Sequence, residues 1–331
     1  MKIRPFRLLG QMRLMSVCFR GLLAGAMVLC STPAFAQEYP NKPIRIVTAE
    51  PGGGTDFMAR LFAQGLSRPL GQNVIVENRG SALTGEIVAR APADGYTLLF
   101  TNDILWIVPL LQKTPYDPIR DFSPVTFLAS APNLLTVHPS VPVNSVKEFI
   151  ALAKAKPGEL NYASSATGTS AHTAAELFKA MAGVNIVRIP YKGGGPALTA
   201  LIGGQVQLLF PTTGGAAPHL KSGKRRALAV ASAHPSPLAP GLPTVAEAGG
   251  LPGYESILPY VFFVPAKSPA KAIVRLHAEL IRALNAPEMK EKLHNAGIEP
   301  VGSTPEQLAT KVKANMATMG KLIRDAGIRA D

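Results

Sequence analysis

The chain reads as an α/β protein of two lobes flanking a cleft, followed by a helical C-terminal tail. Three observations predict this. Buried-strand patterns alternate with helical periodicities between residues 44 and 102, and the same alternation recurs between 145 and 232. Two long apolar stretches, 124–142 and 254–269, exceed one tight strand and suit segments that cross between lobes. Such alternation implies βαβ units and largely parallel sheets. Two crossings make a hinge and leave a cleft. The resulting lobes are 37–137 plus 258–331, and the inserted 138–257.

In the first lobe IRIVTA (44–49), NVIVEN (73–78) and YTLLFTN (96–102) read as buried strands. FMARLFAQGLSRPLG (57–71) reads as a helix closed by Pro69 and Gly71, and GEIVARA (85–91) as a shorter one. The second lobe opens on SVKEFIALAKAKPG (145–158), with a capping box from Ser145 to Glu148. Strands follow at 160–165, 184–190, 206–210 and 226–232, with helices at 169–183 and 194–204. The tail carries helices at 269–285, 287–297 and 304–327; His277 falls on a helix surface or boundary.

The first 36 of the 331 residues stand apart. They hold five basic residues and no acid, then the apolar GLLAGAMVLC (21–30), then Ala34-Phe35-Ala36. This is the pattern of a secretory signal cleaved after Ala36, and its apolar run is too short to span a bilayer. Leu29 before Cys30 is too bulky for a lipid-attachment site. Cys18 and Cys30 are the chain's two cysteines, so the mature protein has neither disulfide nor thiol chemistry and relies on apolar burial. Net charge falls from +13 to +8 without the leader. A positive surface favours acidic small molecules or a membrane face. The basic cluster KSGKRR (221–226) has no interleaved aromatics and no nucleic-acid motif around it, so it reads as a solvated turn.

Two loop–helix junctions share one design. TAEPGGGTDF (48–57) and YASSATGTSAH (162–172) each follow a strand, are rich in small residues, and lead into a helix. Small residues let backbone N–H groups approach a ligand, and the helix N-terminus adds unpaired donors and partial positive charge. Thr55, Ser164, Ser165, Thr169 and Ser170 could add hydroxyls. The alternative is ordinary capping, for which Thr55, Asp56 and Thr169 are suited. A third junction, PYKGGGPAL (190–198), could present Gly193–Gly195 and the charge of Lys192, or be a tight turn.

Other chemistries fail on spacing. EPGGGTD lacks the Gly-Lys-Ser/Thr of a phosphate loop, and Phe57 stands where G-x-G-x-x-G needs its last glycine. No G-x-S-x-G elbow occurs. His172 and Glu176 are four apart on a helix with no third ligand near, which argues against a metal. Ser165 with His172 lacks an acid to orient the histidine, which argues against hydrolysis. No cofactor, no nucleic acid and no enzymatic activity are expected.

PGGGTD (51–56), ADGYTLL (93–99), PYDPIRDFSPV (115–125), LNYASSATGTSAH (160–172), IPYKGGGPALTALIGGQV (189–206) and LPTVAEAG (242–249) together resemble the substrate-binding proteins of tripartite tricarboxylate transporters, the Bug or TctC-like receptors. The resemblance spans nearly all of the mature chain. It implies a periplasmic, monomeric flytrap of the type II periplasmic-binding-protein fold. It also implies a carboxylate ligand held by loops of both lobes, and a membrane partner with a large and a small subunit. Transport or sensing would both use such a receptor. Carried over, the ligand-binding candidates are Gly53, Gly54, Thr55 and Asp56 in the first lobe and Ser165, Thr169, His172, Tyr191 and Gly193 in the second. Ala49 and Glu50, beside the first turn, and Ser164, for its hydroxyl, are added to them. Asn102 and Trp106 join them from the turn after YTLLFTN.

The sequence departs from the family where the ligand should sit. Ala49 and Glu50 replace the usual aromatic and small residue, Ala166 stands where glycine is usual, and Gln207 where aspartate is. Trp106 occupies a place where small residues are common, and Met319-Gly320 lie where a tryptophan is common. If Trp106 supplies a stacking face and Glu50 lines the cleft, the ligand is a monocarboxylate with a bulky, aromatic or amine-bearing remainder. Otherwise Glu50 faces solvent and Trp106 is core.

Overall fold

A computed structural model describes residues 39–215 and 226–329. The leader through Ala36, its two cysteines and most of KSGKRR lie outside the described residues.

The first half of the alternation forms β1 (Ile44–Thr48), α1 (Gly54–Leu70), β2 (Val74–Asn78), α2 (Ser81–Ala89), β3 (Thr97–Thr101) and α3 (Ile104–Leu111). β1 pairs in parallel with both β2 and β3. The long stretches become β4 (Phe122–Pro132) and β10 (Ile257–Pro265), which pair antiparallel along their length from Pro132–Ile257 to Phe122–Pro265. β11 (Glu299–Pro300) completes a sheet of order β11-β4-β10-β3-β1-β2.

The second sheet and its helices comprise β5 (Leu134–Val137), which precedes the expected start of the insertion at 138, then α4 (Val146–Ala155), β6 (Asn161–Ser164), α5 (Ser170–Ala182), β7 (Val187–Pro190), α6 (Gly194–Ile202), β8 (Leu208–Leu209), β9 (Arg226–Val230) and α7 (Val245–Gly249). Its sheet has the order β7-β6-β8-β5-β9, with β6 parallel to β7 and β8. The tail helices are α8 (Ala270–Asn285), α9 (Pro287–Asn295) and α10 (Pro305–Asp325). Among the described residues no helix is long and apolar enough to cross a membrane.

Several boundaries differ from the sequence reading for identifiable reasons. α1 starts at Gly54, three residues early, and runs through Pro69 in its last turn; the left-handed Gly71 ends it. α2 starts at Ser81, not Gly85, because Glu50 receives the Ser81 N–H. Of VQLLF only Leu208–Leu209 is strand. Ser145 accepts the Glu148 N–H, but the Glu148 side chain turns to the Asn144 N–H, so only half of the capping box forms.

The change of sheet falls at a buried node. β4 ends at Pro132, β5 begins at Leu134, and Asn133 between them is fully buried. Its N–H reaches Ser256 O at 3.3 Å, its Nδ2 donates to Ser256 Oγ at 3.0 Å, and its carbonyl accepts from Ala231 N–H at 2.8 Å. A further segment also reaches across. After β8, Leu134 N–H holds Pro211 O, and Thr213 Oγ1 donates to Gly297 O, beside β11. Gly214 has no room for a side chain there, since a Cβ would lie 2.3 Å from Ala296 O.

Candidate functional site

In each sheet one strand lies between two neighbours reached in opposite directions. β1 lies between β2 and β3, and β6 between β7 and β8. The loops leaving β1 and β6 therefore sit at topological switch points, where open parallel sheets bind ligands at the C-terminal ends of their strands. These loops are the two glycine-, serine- and threonine-rich turns.

In the first turn Gly53 is the N-cap of α1, and no side chain caps the helix. The first helical bond runs from Phe57 N–H to Gly53 O at 3.0 Å, so earlier N–H groups are left for an outside acceptor. Thr55 is 8% exposed, and its hydroxyl has no partner among the described residues. Asp56 does not cap the helix. Its carboxylate turns back to accept from Gly52 N–H at 2.9 Å and Asn78 Nδ2 at 2.8 Å, and it pairs with Arg60 Nε at 2.9 Å. Burial alone would raise its carboxyl, but the Gly52 N–H, Asn78 and Arg60 outweigh that and hold it below the ordinary range. Asn78 Nδ2 also holds Ala49 O at 2.7 Å. Glu50 is exposed and engaged elsewhere: it accepts from Ser81 Oγ at 2.5 Å and Ser81 N–H at 2.8 Å, and these bonds lower its carboxyl.

The second turn is braced differently. Arg188, on β7 beside β6, donates from Nε to Ser164 Oγ at 2.8 Å, from Nη1 to Thr167 Oγ1 at 2.7 Å, and from Nη2 to Ser165 O at 3.0 Å. Gly168 adopts φ +84°, and its N–H donates to His172 Nδ1 at 3.1 Å. His172 is buried, and its Nδ1 is the acceptor of that bond. Thr169 is the N-cap of α5, yet its hydroxyl donates to Ala166 O and accepts from Ser165 Oγ, leaving the helix uncapped. At the third junction Tyr191 N–H binds Ser164 O at 2.8 Å, and Gly193 starts α6, again without a side-chain cap. By contrast α4, α7 and α10 are capped by Ser145, Thr244 and Thr304.

The second turn abuts the first sheet's side through α3. A Cβ on Gly168 would lie 3.2 Å from Leu111 Cδ1 and 3.5 Å from Ile107 Cγ2. Asn102 precedes α3, and its Oδ1 accepts the Ile104 N–H at 3.0 Å. Trp106 is 2% exposed and donates its indole N–H to Asn315 Oδ1 at 2.8 Å. It is core here, and it offers no stacking face to the turns. Asp103, Trp106, Thr173, Glu255 and Lys311 border a cavity of about 40 Å³, and burial pushes the Asp103 carboxyl up to about 7. The structure thus gathers Gly53–Asp56 at one switch point and Ser164–His172 with Tyr191 and Gly193 at the other. It diverts Glu50 to α2 and Trp106 to the core.

Sequence reasoning missed Arg188, Asn78 and Tyr260, whose ring reaches Gly54 from β10. An arginine two residues before the glycine-rich junction at 190–198 is the one available signal among these.

A sequence profile described as "Tripartite tricarboxylate transporter family receptor" matches residues 58–328. The chain belongs to this receptor family. Among its relatives, the "UPF0065 protein in tcbD-tcbE intergenic region" of Pseudomonas sp. (strain P51) is 35% identical over 321 residues, covering 94% of this chain and 96% of the relative. The receptor also superposes on R. palustris Rpa4515 with adipate (36% identity, TM-score 0.76, 88% of this chain and 99% of that one). MatC from Rhodopseudomonas palustris with bound malate gives 29% identity and a TM-score of 0.71, over 86% and 100% of the chains. Members of the family are periplasmic binding proteins. The profile match begins at Met58, so the Gly53–Asp56 turn lies just outside it, and that turn's role rests on its geometry.

Proposed function

We propose that this receptor captures a small organic carboxylate between its two turns and presents it, as a monomer, to the large and small subunits of a tripartite membrane transporter. The observation that carries this is the pair of uncapped helix N-termini, α1 and α5, each at the switch point of its own sheet. Two related structures hold dicarboxylates, adipate and malate, which supports the same ligand class here. A hydrogen bond to a charged group contributes about 1.5–3 kcal/mol. Four or five of them, less the ordering cost, suit roughly micromolar binding, about −8 kcal/mol. Such a grip can also release its cargo.

Catalysis is not part of this reading. Ser165 Oγ donates to Thr169, and the His172 nitrogen that could serve as a base is occupied by Gly168 N–H. We further propose export through the leader, with cleavage after Ala36; the N-terminal residue of periplasmic protein, expected to be Gln37, tests this.

The main test is a thermal-shift series with adipate, malate, citrate, benzoate, phthalate and glutamate. At least one acid should raise the melting temperature in a concentration-dependent way, and no shift with any of them overturns the proposal. For an acid that binds, Thr55→Ala and Ser165→Ala should each weaken affinity about tenfold without unfolding the protein.

A further inference from the structure

Gly54 is the third glycine of EPGGGTD, and its conformation does not explain it. It is the first residue of α1 with an ordinary negative φ, unlike Gly52, which needs φ +83°. What excludes a side chain at Gly54 is space. A Cβ there would lie 2.8 Å from the hydroxyl oxygen of Tyr260. Cα–Cβ bonds of a helix tilt toward its N-terminus. The Tyr260 hydroxyl therefore sits on the N-terminal side of the first turn of α1, where the unpaired N–H groups emerge.

Tyr260 is itself constrained. It lies on β10, four residues past the Ser256 node, is 4% exposed, and stacks on Phe100 with ring planes 6° apart. Its ring cannot swing freely. Its hydroxyl has no hydrogen-bond partner among the described residues. A phenol O–H that no protein acceptor claims is available to an outside acceptor. Burial pushes the phenol up to about 12, so it keeps its proton and remains a donor at physiological pH.

We propose that Tyr260 is a ligand-contacting residue whose hydroxyl donates a hydrogen bond to a carboxylate oxygen held at the N-terminus of α1, with Gly54 kept bare to admit it. This inference rests on the carboxylate-receptor reading. It makes the first turn a three-sided donor set: main-chain N–H groups, Thr55 Oγ1, and a phenol supplied from the strand that leads back from the node.

The test compares wild type with Tyr260→Phe, using calorimetric titration of the acids named above and adipate as the first probe. Phenylalanine keeps the Phe100 stack and removes one oxygen. The expected result is about a tenfold or larger loss of affinity, with a ligand-free melting temperature equal to or above wild type. A purely structural hydroxyl would instead lower that melting temperature. In a second pair, Gly54→Ala should lose stability, and Gly54→Ala/Tyr260→Phe should regain part of it because the clashing oxygen is gone. If wild type binds an acid and Tyr260→Phe binds it equally well, the inference is overturned while the receptor reading stands. If wild type binds none of the acids, both fall together.

Discussion

The turn after β1 is braced by a carboxylate, and the turn after β6 by a guanidinium. Asp56 folds back on Gly52, Asn78 and Arg60, so the charge there is balanced within the turn, and Glu50 adds a second acid nearby. Arg188 instead lies beneath Ser164, Ser165 and Thr167 and donates to all three. Both turns end in uncapped helices and so offer the same main-chain donors. The difference is in the brace behind the donors: an acid holds the first turn, and a guanidinium donates into the second. We expect a bound acid to feel the Arg188 charge more than that of the first turn.

The largest expected effect comes from removing the cation. Arg188→Ala deletes three hydrogen bonds, two of which accept at Ser164 Oγ and Ser165 O beside β6. It should cost about 3 kcal/mol in urea unfolding and weaken binding of any carboxylate by about tenfold or more. Affinity of the wild type should fall as salt is raised, and that slope should flatten in the variant. Arg188→Lys keeps the charge but not the planar fork, so it should recover the salt dependence more fully than the stability. Equal salt slopes for wild type and Arg188→Ala would erase the proposed asymmetry.

The asymmetry was only half visible in the sequence, and the reason is distance along the chain. The strand–turn–helix order, the small residues and the repeat of the pattern are local, and they located both turns. The braces are not local. Arg188 acts 24 residues from Ser164, Asn78 acts 22 from Asp56, and Tyr260 reaches Gly54 from β10, far along the chain. The capping alternative fails at two of its three residues: Asp56 and Thr169 have the chemistry of helix caps, but each spends its oxygen on the turn itself. Trp106 looked available because a lone tryptophan after a cleft-side strand is suggestive. Its N–H is claimed by Asn315 on α10, 209 residues away, which no local pattern reveals.

A middle-sized effect is expected at Asp56. Asp56→Asn retains an acceptor for Gly52 but loses the charge pairing with Arg60, for a cost of about 1 kcal/mol at pH 7. Its pH dependence has a definite sign. The folded-state carboxyl lies below its ordinary 3.8, so the unfolded chain binds the proton more readily. The stabilisation is complete above that value and is lost as pH falls through the folded-state pKa. Wild type and Asp56→Asn should therefore differ at neutral pH and converge as pH falls through the folded-state pKa, as read by unfolding curves at each pH. A gap that stays constant down to acid pH would mean that Asp56 braces the turn without its charge.

The smallest effect is the one that bears on ligand identity. Glu50 is exposed and bonded to Ser81, so Glu50→Gln, which keeps one acceptor for Ser81, should shift stability by no more than about 0.5 kcal/mol. For a simple carboxylate such as adipate, removing this negative charge from the first turn should raise affinity, by roughly twofold at low salt and less at physiological salt. The direction matters more than the size. Glu50 can favour binding only if it meets a positive group, because its own oxygens are acceptors and its charge opposes an acid. If titration shows Glu50→Gln binding an amine-bearing acid such as glutamate more weakly while binding adipate more tightly, then Glu50 selects a cationic group on a ligand whose carboxylate is held at the α1 N-terminus.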